Sequence, residues 1–246
     1  LVRLLISTPS TEAHVDFLNL AIPAILKQGR FTNIALPIPK ELIPVVVKLS
    51  ISSGKGPTVE FLRGSLGNAW LVTHEPLVSL IIRLYQEYPW VNVVSSSPGL
   101  NEQRRLSRIA VEMVALTARS AISRPENVKD RWIRLHEEAK AILDKKVKMP
   151  ENTLIVSIGY VHYLRFRKYA DDVVMIGELK PTPTELFYLY RGGYDELFME
   201  IVNWVVKYLS DIVPSSRNLT AAYRAILNDS NYLRFMYKVL SAMNIE

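Results

Sequence analysis

The chain has 246 residues, no cysteine, and 30 basic against 24 acidic side chains, for a formal net charge of +6. That length holds one large domain or two small ones, and 49% hydrophobic with 22% charged residues excludes disorder as the general description. The absent thiols exclude disulfides, thiolate nucleophiles, Cys-bound zinc and iron–sulfur clusters, so any metal falls to carboxylates and the four histidines.

In chain order, residues 1–7 form a short apolar run ending in Ser-Thr-Pro-Ser, the pattern of a buried strand. This run is too short for a signal-peptide core. Residues 17–28 repeat apolar side chains near the helical period, with Pro23 inside and Gly29 as a stop. A strand is expected at 31–36, a short helix or extended run at 41–49, a loop at 51–57, and short strands at 59–62 and 70–73. Pro76 suits a first helical turn, with Leu77, Leu80, Ile81 and Leu84 as its buried face. Residues 91–95 read as a strand, 101–122 and 131–147 as helices, and 154–158 and 173–176 as strands. From there the pattern is helical, over 184–190, 196–211, 220–227 and 232–243.

Strands alternating with helices predict an α/β fold: a mainly parallel sheet flanked by helices, with a helical C-terminal region. The expected division is a sheet domain over 1–182 and a helical extension or subdomain over 183–246. No apolar run approaches the roughly 18 residues that span a bilayer. A cytoplasmic protein with no membrane partner is the expectation, and the apolar helical tail adds that of a homo-oligomer.

Ligands of parallel sheets bind beyond the carboxyl ends of strands. Thr11-Glu12-Ala13-His14, with Asp16 behind it, follows the first strand, and Gly159-Tyr160-Val161-His162 follows the strand at 154–158. If those strands are neighbours, two imidazoles face one crevice. Imidazole is a common metal ligand, and Glu12 or Asp16 would complete a two-His-one-carboxylate set around a metal that activates water. Glycine at 159 permits a tight turn after the strand. A lone histidine near a strand end is, in contrast, usually a hydrogen-bonded structural residue.

The run Ile155-Val156-Ser157-Ile158-Gly159-Tyr160-Val161-His162 resembles the strand–Gly-x-x-His motif of the TraB/TIKI and EreA–ChaN superfamily. The Leu4-Leu5-Ile6-Ser7 strand with Glu12 and His14 is similar to that family's first motif. The resemblance spans roughly residues 1–180 but is carried by these two short motifs. It implies a metal-dependent hydrolase acting on a small-molecule or peptide substrate. His14 and His162 would ligate a divalent metal ion, Glu12 would be ligand or general base, and Arg165 would bind a carboxylate or phosphate of the substrate. The chain departs from the family in having Thr11 in place of the first glycine. After the second strand its nearest acid is Glu41.

Other features compete. Thr73-His74-Glu75-Pro76 reads as a helix start capped by Thr73, and His136 as a solvated helix position. Asp172, Glu178 and Lys180 resemble the Asp…Glu-x-Lys set of metal-dependent nucleases, but all three fall on one apparent strand, where that set needs two. Ser52-Ser53-Gly54-Lys55-Gly56 lacks phosphate-loop spacing. Arg104, Arg105 and Arg108 read as a solvated helix face. Arg165, Arg167 and Lys168 interleave with Tyr163, Phe166 and Tyr169, as in grips on single-stranded nucleic acid. The rival function is a Rossmann-like nucleotide- or oligonucleotide-binding sensor module, of the general shape of CRISPR-associated ligand-sensing domains. It is motivated by the hydroxyl clusters Ser7-Thr8-Pro9-Ser10-Thr11 and Ser95-Ser96-Ser97, which also suit ordinary turns and caps.

Overall fold

In the computed structural model, which describes residues 2–123 and 125–245, the strands are β1 (Arg3–Thr8), β2 (Asn33–Leu36), β3 (Asn92–Ser95), β4 (Thr153–Ile158) and β5 (Asp172–Met175). The helices are α1 (Glu12–Leu26), α2 (Ile43–Ser52), α3 (Lys55–Leu66), α4 (Asn68–His74), α5 (Pro76–Glu87), α6 (Leu100–Ser123), α7 (Lys129–Leu143), α8 (Tyr160–Arg167), α9 (Pro183–Leu189), α10 (Glu196–Lys207), α11 (Val213–Ser215), α12 (Leu219–Leu227) and α13 (Ser230–Ala242). Among these residues no helix is long and apolar enough to cross a membrane.

The five strands form one sheet in the order β3-β2-β4-β1-β5, parallel at every pairing. The α/β expectation is therefore met. β1 and β4 are adjacent, and their apolar runs suit strands covered on both faces. The connection from β1 to β2 passes over β4, and that from β4 to β5 passes over β1 in the opposite sense. Right-handed crossovers place two such connections on opposite faces of the sheet. The packing agrees. Ile6, Leu154 and Val156 share a core with Val15, Leu18 and Ile22 of α1. Leu5 and Ile155 pack instead with Phe166 of α8.

The strands expected at 59–62 and 70–73 are instead turns of α3 and α4. Val59, Leu62 and Leu66 are buried at helical spacing, and a four-residue apolar run alone does not separate a strand from one buried turn. Pro23 lies inside α1 without ending it. Its missing N–H leaves the Asn19 carbonyl without its intrahelical donor, and Arg83 Nη1 supplies one at 2.8 Å.

By contact the chain forms two compact units, one of Leu1–Ser107 with Lys145–Leu179 and one of Arg108–Asp144 with Lys180–Glu246. The first holds the sheet. The second is helical, and it joins the C-terminal helices to α7 and most of α6. Its turns are closed by side chains. Thr182 and Glu185 form a reciprocal capping box, and Asp195, Asn218 and Asp229 cap α10, α12 and α13. His136 is not solvated but buried in this unit. It belongs to the α7 stripe Trp132-Leu135-His136-Ala139-Ile142, which the flanking Glu137 and Glu138 disguise in the sequence. Its Nε2–H donates to the Tyr190 carbonyl at 3.0 Å, and its Nδ1 accepts from the Tyr194 hydroxyl at 3.2 Å.

Candidate binding crevice

The carboxyl ends of β1 and β4 lie side by side, in the register Ser7↔Ser157 and Thr8↔Ile158. The Gly159 N–H donates to the Thr8 carbonyl at 2.8 Å and ties the two ends together. Gly159 has φ +85°, a region open to glycine at little cost, which lets β4 turn into α8 through one residue. β1 enters α1 through a longer turn, in which the Thr11 N–H donates to the Pro9 carbonyl at 2.9 Å. Neither helix has a side-chain cap at its N-terminus. Their first-turn amides and the positive ends of their dipoles therefore flank the strand ends, one on each face of the sheet.

Beneath them are three hydroxyls. Ser7, Thr8 and Ser157 are fully buried, and among the described residues their oxygens make no hydrogen bond. Strand alternation puts Ser7 and Ser157 on the α8 face, beside each other, and Thr8 on the α1 face. A buried hydroxyl without a partner costs about 1–3 kcal/mol. The serines of the other cluster are satisfied. Ser95 Oγ donates to the Ile38 carbonyl at 2.6 Å, Ser96 Oγ reaches the Val156 carbonyl at 3.5 Å, and Ser97 Oγ donates to Gln103 at 3.2 Å.

His14 holds Thr11 Oγ1 through Nδ1 at 2.7 Å, and its ring lies against Gly177 after β5. Glu12 is half-buried in the first turn of α1, while Asp16 points to solvent. His162 stacks on Phe166 with ring centroids 6.5 Å apart. Its pKa is lowered to about 3, first by burial and then by the charges of Arg165 and His74. Arg165 donates through Nη2 to the Lys145 carbonyl and lies over the Phe166 ring. Arg167 and Lys168 rest on Tyr163 and Tyr169, so the basic–aromatic cluster is largely paired within itself. Glu41 accepts from the Leu100 amide at 3.2 Å at the start of α6. Among the described residues no three His, Asp or Glu side chains converge to hold a metal ion.

His74 is not part of a helix start. It ends α4, stacks on Trp70 at 4.4 Å, and has Nδ1 2.9 Å from the Trp70 carbonyl and 2.7 Å from Thr73 Oγ1. Burial lowers its pKa to about 4. Lys55 opens α3 and pairs with Glu75 at 3.1 Å. Asp172 begins β5, but the strand ends at Met175, so Glu178 and Lys180 lie beyond it and the three do not fall on one strand.

The contact between His14 and Gly177 gives one prediction. Gly177 has φ +77°, and a Cβ there would come within 2.9 Å of the His14 ring. Gly177→Ala is expected to cost about 1–3 kcal/mol in urea unfolding, from backbone strain plus overlap. Adding His14→Ala should relieve only the overlap. An unchanged urea midpoint in the single variant would contradict this geometry.

Sequence reasoning noticed Ser7 and Thr8 but not Ser157. The available signal was a serine late in each apolar run, Leu4-Leu5-Ile6-Ser7 and Leu154-Ile155-Val156-Ser157. Compared with protein-family models, curated proteins and solved structures, the chain matches none.

Proposed function

We propose that the protein is a nucleotide-binding module that holds a phosphate-bearing ligand at the carboxyl ends of β1 and β4. The observation that carries this reading is the set of three fully buried, unpartnered hydroxyls of Ser7, Thr8 and Ser157 beneath two uncapped helix N-termini. A phosphate oxygen, or a water that it orders, completes those hydroxyls, and the first-turn amides favour the negative charge. The site also lies where the connections of adjacent parallel strands diverge to opposite faces, the usual ligand crevice of an open α/β sheet.

Around His162 the charges favour an anion over a metal ion, while Glu12 in the first turn of α1 directs the anion toward the α8 side. The Arg165 charge that disfavours a proton on His162 equally disfavours a divalent cation there.

The test is thermal unfolding with AMP, ATP, a short oligoribonucleotide, Mn²⁺ or Zn²⁺. A nucleotide at a hundred times its Kd stabilises by about 2.7 kcal/mol. The Ser7→Ala/Ser157→Ala variant is expected to be as stable as the parent without ligand, because it deletes unsatisfied groups, yet to lose the nucleotide response. Stabilisation by metal alone, abolished by His162→Ala, would replace this reading with the metal-dependent hydrolase in which His14 and His162 are ligands. A nucleotide response that survives the double serine variant would remove the site from the strand ends.

A further inference from the structure

α6 exposes a stripe of apolar side chains within the helical unit. Val111, Val114 and Ile122 are 62%, 56% and 89% exposed, and Ala115 and Ala118 between them also face solvent. Val111, Ala115, Ala118 and Ile122 follow one another at intervals of four, three and four. That is the spacing of a coiled-coil seam. The opposite stripe, with Ile109, Met113, Leu116, Thr117 and Ser120, is buried in the protein's own core. Scattered exposed apolar residues need no explanation, whereas a continuous row of them marks an interaction surface.

We infer that this row is the interface of a homodimer, in which α6 packs antiparallel against α6 of a second copy about a two-fold axis between Leu116 and Thr117. The size pattern of the row fits itself in either direction, and the charges beside it select the antiparallel one. Reversal about this axis sets Val111 opposite the partner's Ile122 and Ala115 opposite the partner's Ala118, so large faces large at the ends and small faces small at the centre. The two alanines permit close approach of the backbones there.

The charges beside the seam match the same axis. Glu112 and Arg119 lie on one flank, and in an antiparallel pair like flanks meet. Glu112 then falls opposite the partner's Arg119 on both sides of the dyad. Among the described residues Arg119 makes no ion pair, while Glu112 is shared loosely between Arg108 at 3.6 Å and Arg134 at 3.4 Å. In a parallel pair Arg119 would face the flank of Val114, which offers it no charge. A two-fold interface of this kind uses the same patch on both copies.

The test is sedimentation equilibrium of the full chain, with circular dichroism to confirm folding. The parent is expected to dimerise. Ile122→Glu with Val111→Glu, both at exposed positions, should raise the dimer Kd by at least about a hundredfold. Glu112→Arg and Arg119→Glu should each weaken the dimer, and the two together should restore it. The absence of native cysteine allows a second readout. A mixture of Ala115→Cys and Ala118→Cys chains should oxidise to a disulfide between the two variants, with little self-linking of either, because Cα atoms more than about 7 Å apart are not bridged. A monomer at all concentrations, a dimer indifferent to the glutamates, or self-linking of Ala115→Cys alone would each overturn the antiparallel dimer.

Discussion

Between pH 6.5 and 4.5 the protein is expected to lose stability at up to about 4 kcal/mol per pH unit, the limiting slope for three protons taken up on unfolding, and at about half that at pH 6.5 itself. The three protons belong to His74, His136 and His162. In the unfolded chain a histidine titrates near its ordinary value of about 6.5. In the folded protein burial is the leading cause that lowers His74 and His136 to about 4 and His162 to about 3. Between those limits the unfolded state binds more protons, so acid favours it. The stability that neutral burial confers is complete above pH 6.5 and is lost as pH falls toward the folded values.

The effect divides between the compact units. His74 and His162 belong to the unit of the sheet, and His136 to the helical one. Urea titrations at pH 7, 6 and 5 measure the slope. His136→Gln, whose amide can still donate to Tyr190, should lower the total slope by about one third. A stability profile that stays flat from pH 7 to 4.5 would show that these imidazoles are not buried as neutral groups.

Trp132→Ala is expected to destabilise the helical unit by about 3–5 kcal/mol, the range for deleting a buried aromatic side chain. Trp132 is fully buried. Its ring meets Phe187 edge-on at 5.7 Å, and its Nε1–H donates to Ser120 Oγ at 3.3 Å. The substitution leaves a cavity beneath α7 and strips the Ser120 hydroxyl of its donor, and both costs act on the same contact. Trp90 is the comparison, since it is 58% exposed and meets Tyr88 edge-on at 5.5 Å, a contact whose loss costs about 0.5–1.5 kcal/mol. Guanidinium unfolding followed by far-ultraviolet circular dichroism compares the two. Equal midpoints for Trp132→Ala and Trp90→Ala would mean that α7 is not packed on α9.

Much of the fold was legible because its signals are local. The apolar runs of β1 and β4, the helical periods of α5 and α10, and the alternation of strand and helix follow from side-chain chemistry a few residues apart. Readings failed where a short segment carried too little pattern. Segments 59–62 and 70–73 have only four residues each, and tertiary packing made them helical. His136 failed for another reason: its burial depends on Phe187, Tyr190, Tyr194 and Phe198, more than 50 residues away in the chain.

The same division holds for the crevice. That His14 and His162 both follow strands, and that Gly159 turns sharply, could be read directly from residue order. Strand order could not, because pairing between β1 and β4 joins segments about 150 residues apart and depends on which crossovers pack without conflict. Only that pairing sets Ser7 beside Ser157, places α1 and α8 on opposite faces, and leaves hydroxyls buried without partners. The sequence by itself determined the α/β class, the absence of cysteine chemistry and the residues near the strand ends. The tertiary structure decided which of them share one environment, because burial and electrostatic field belong to the packed fold and to no residue alone.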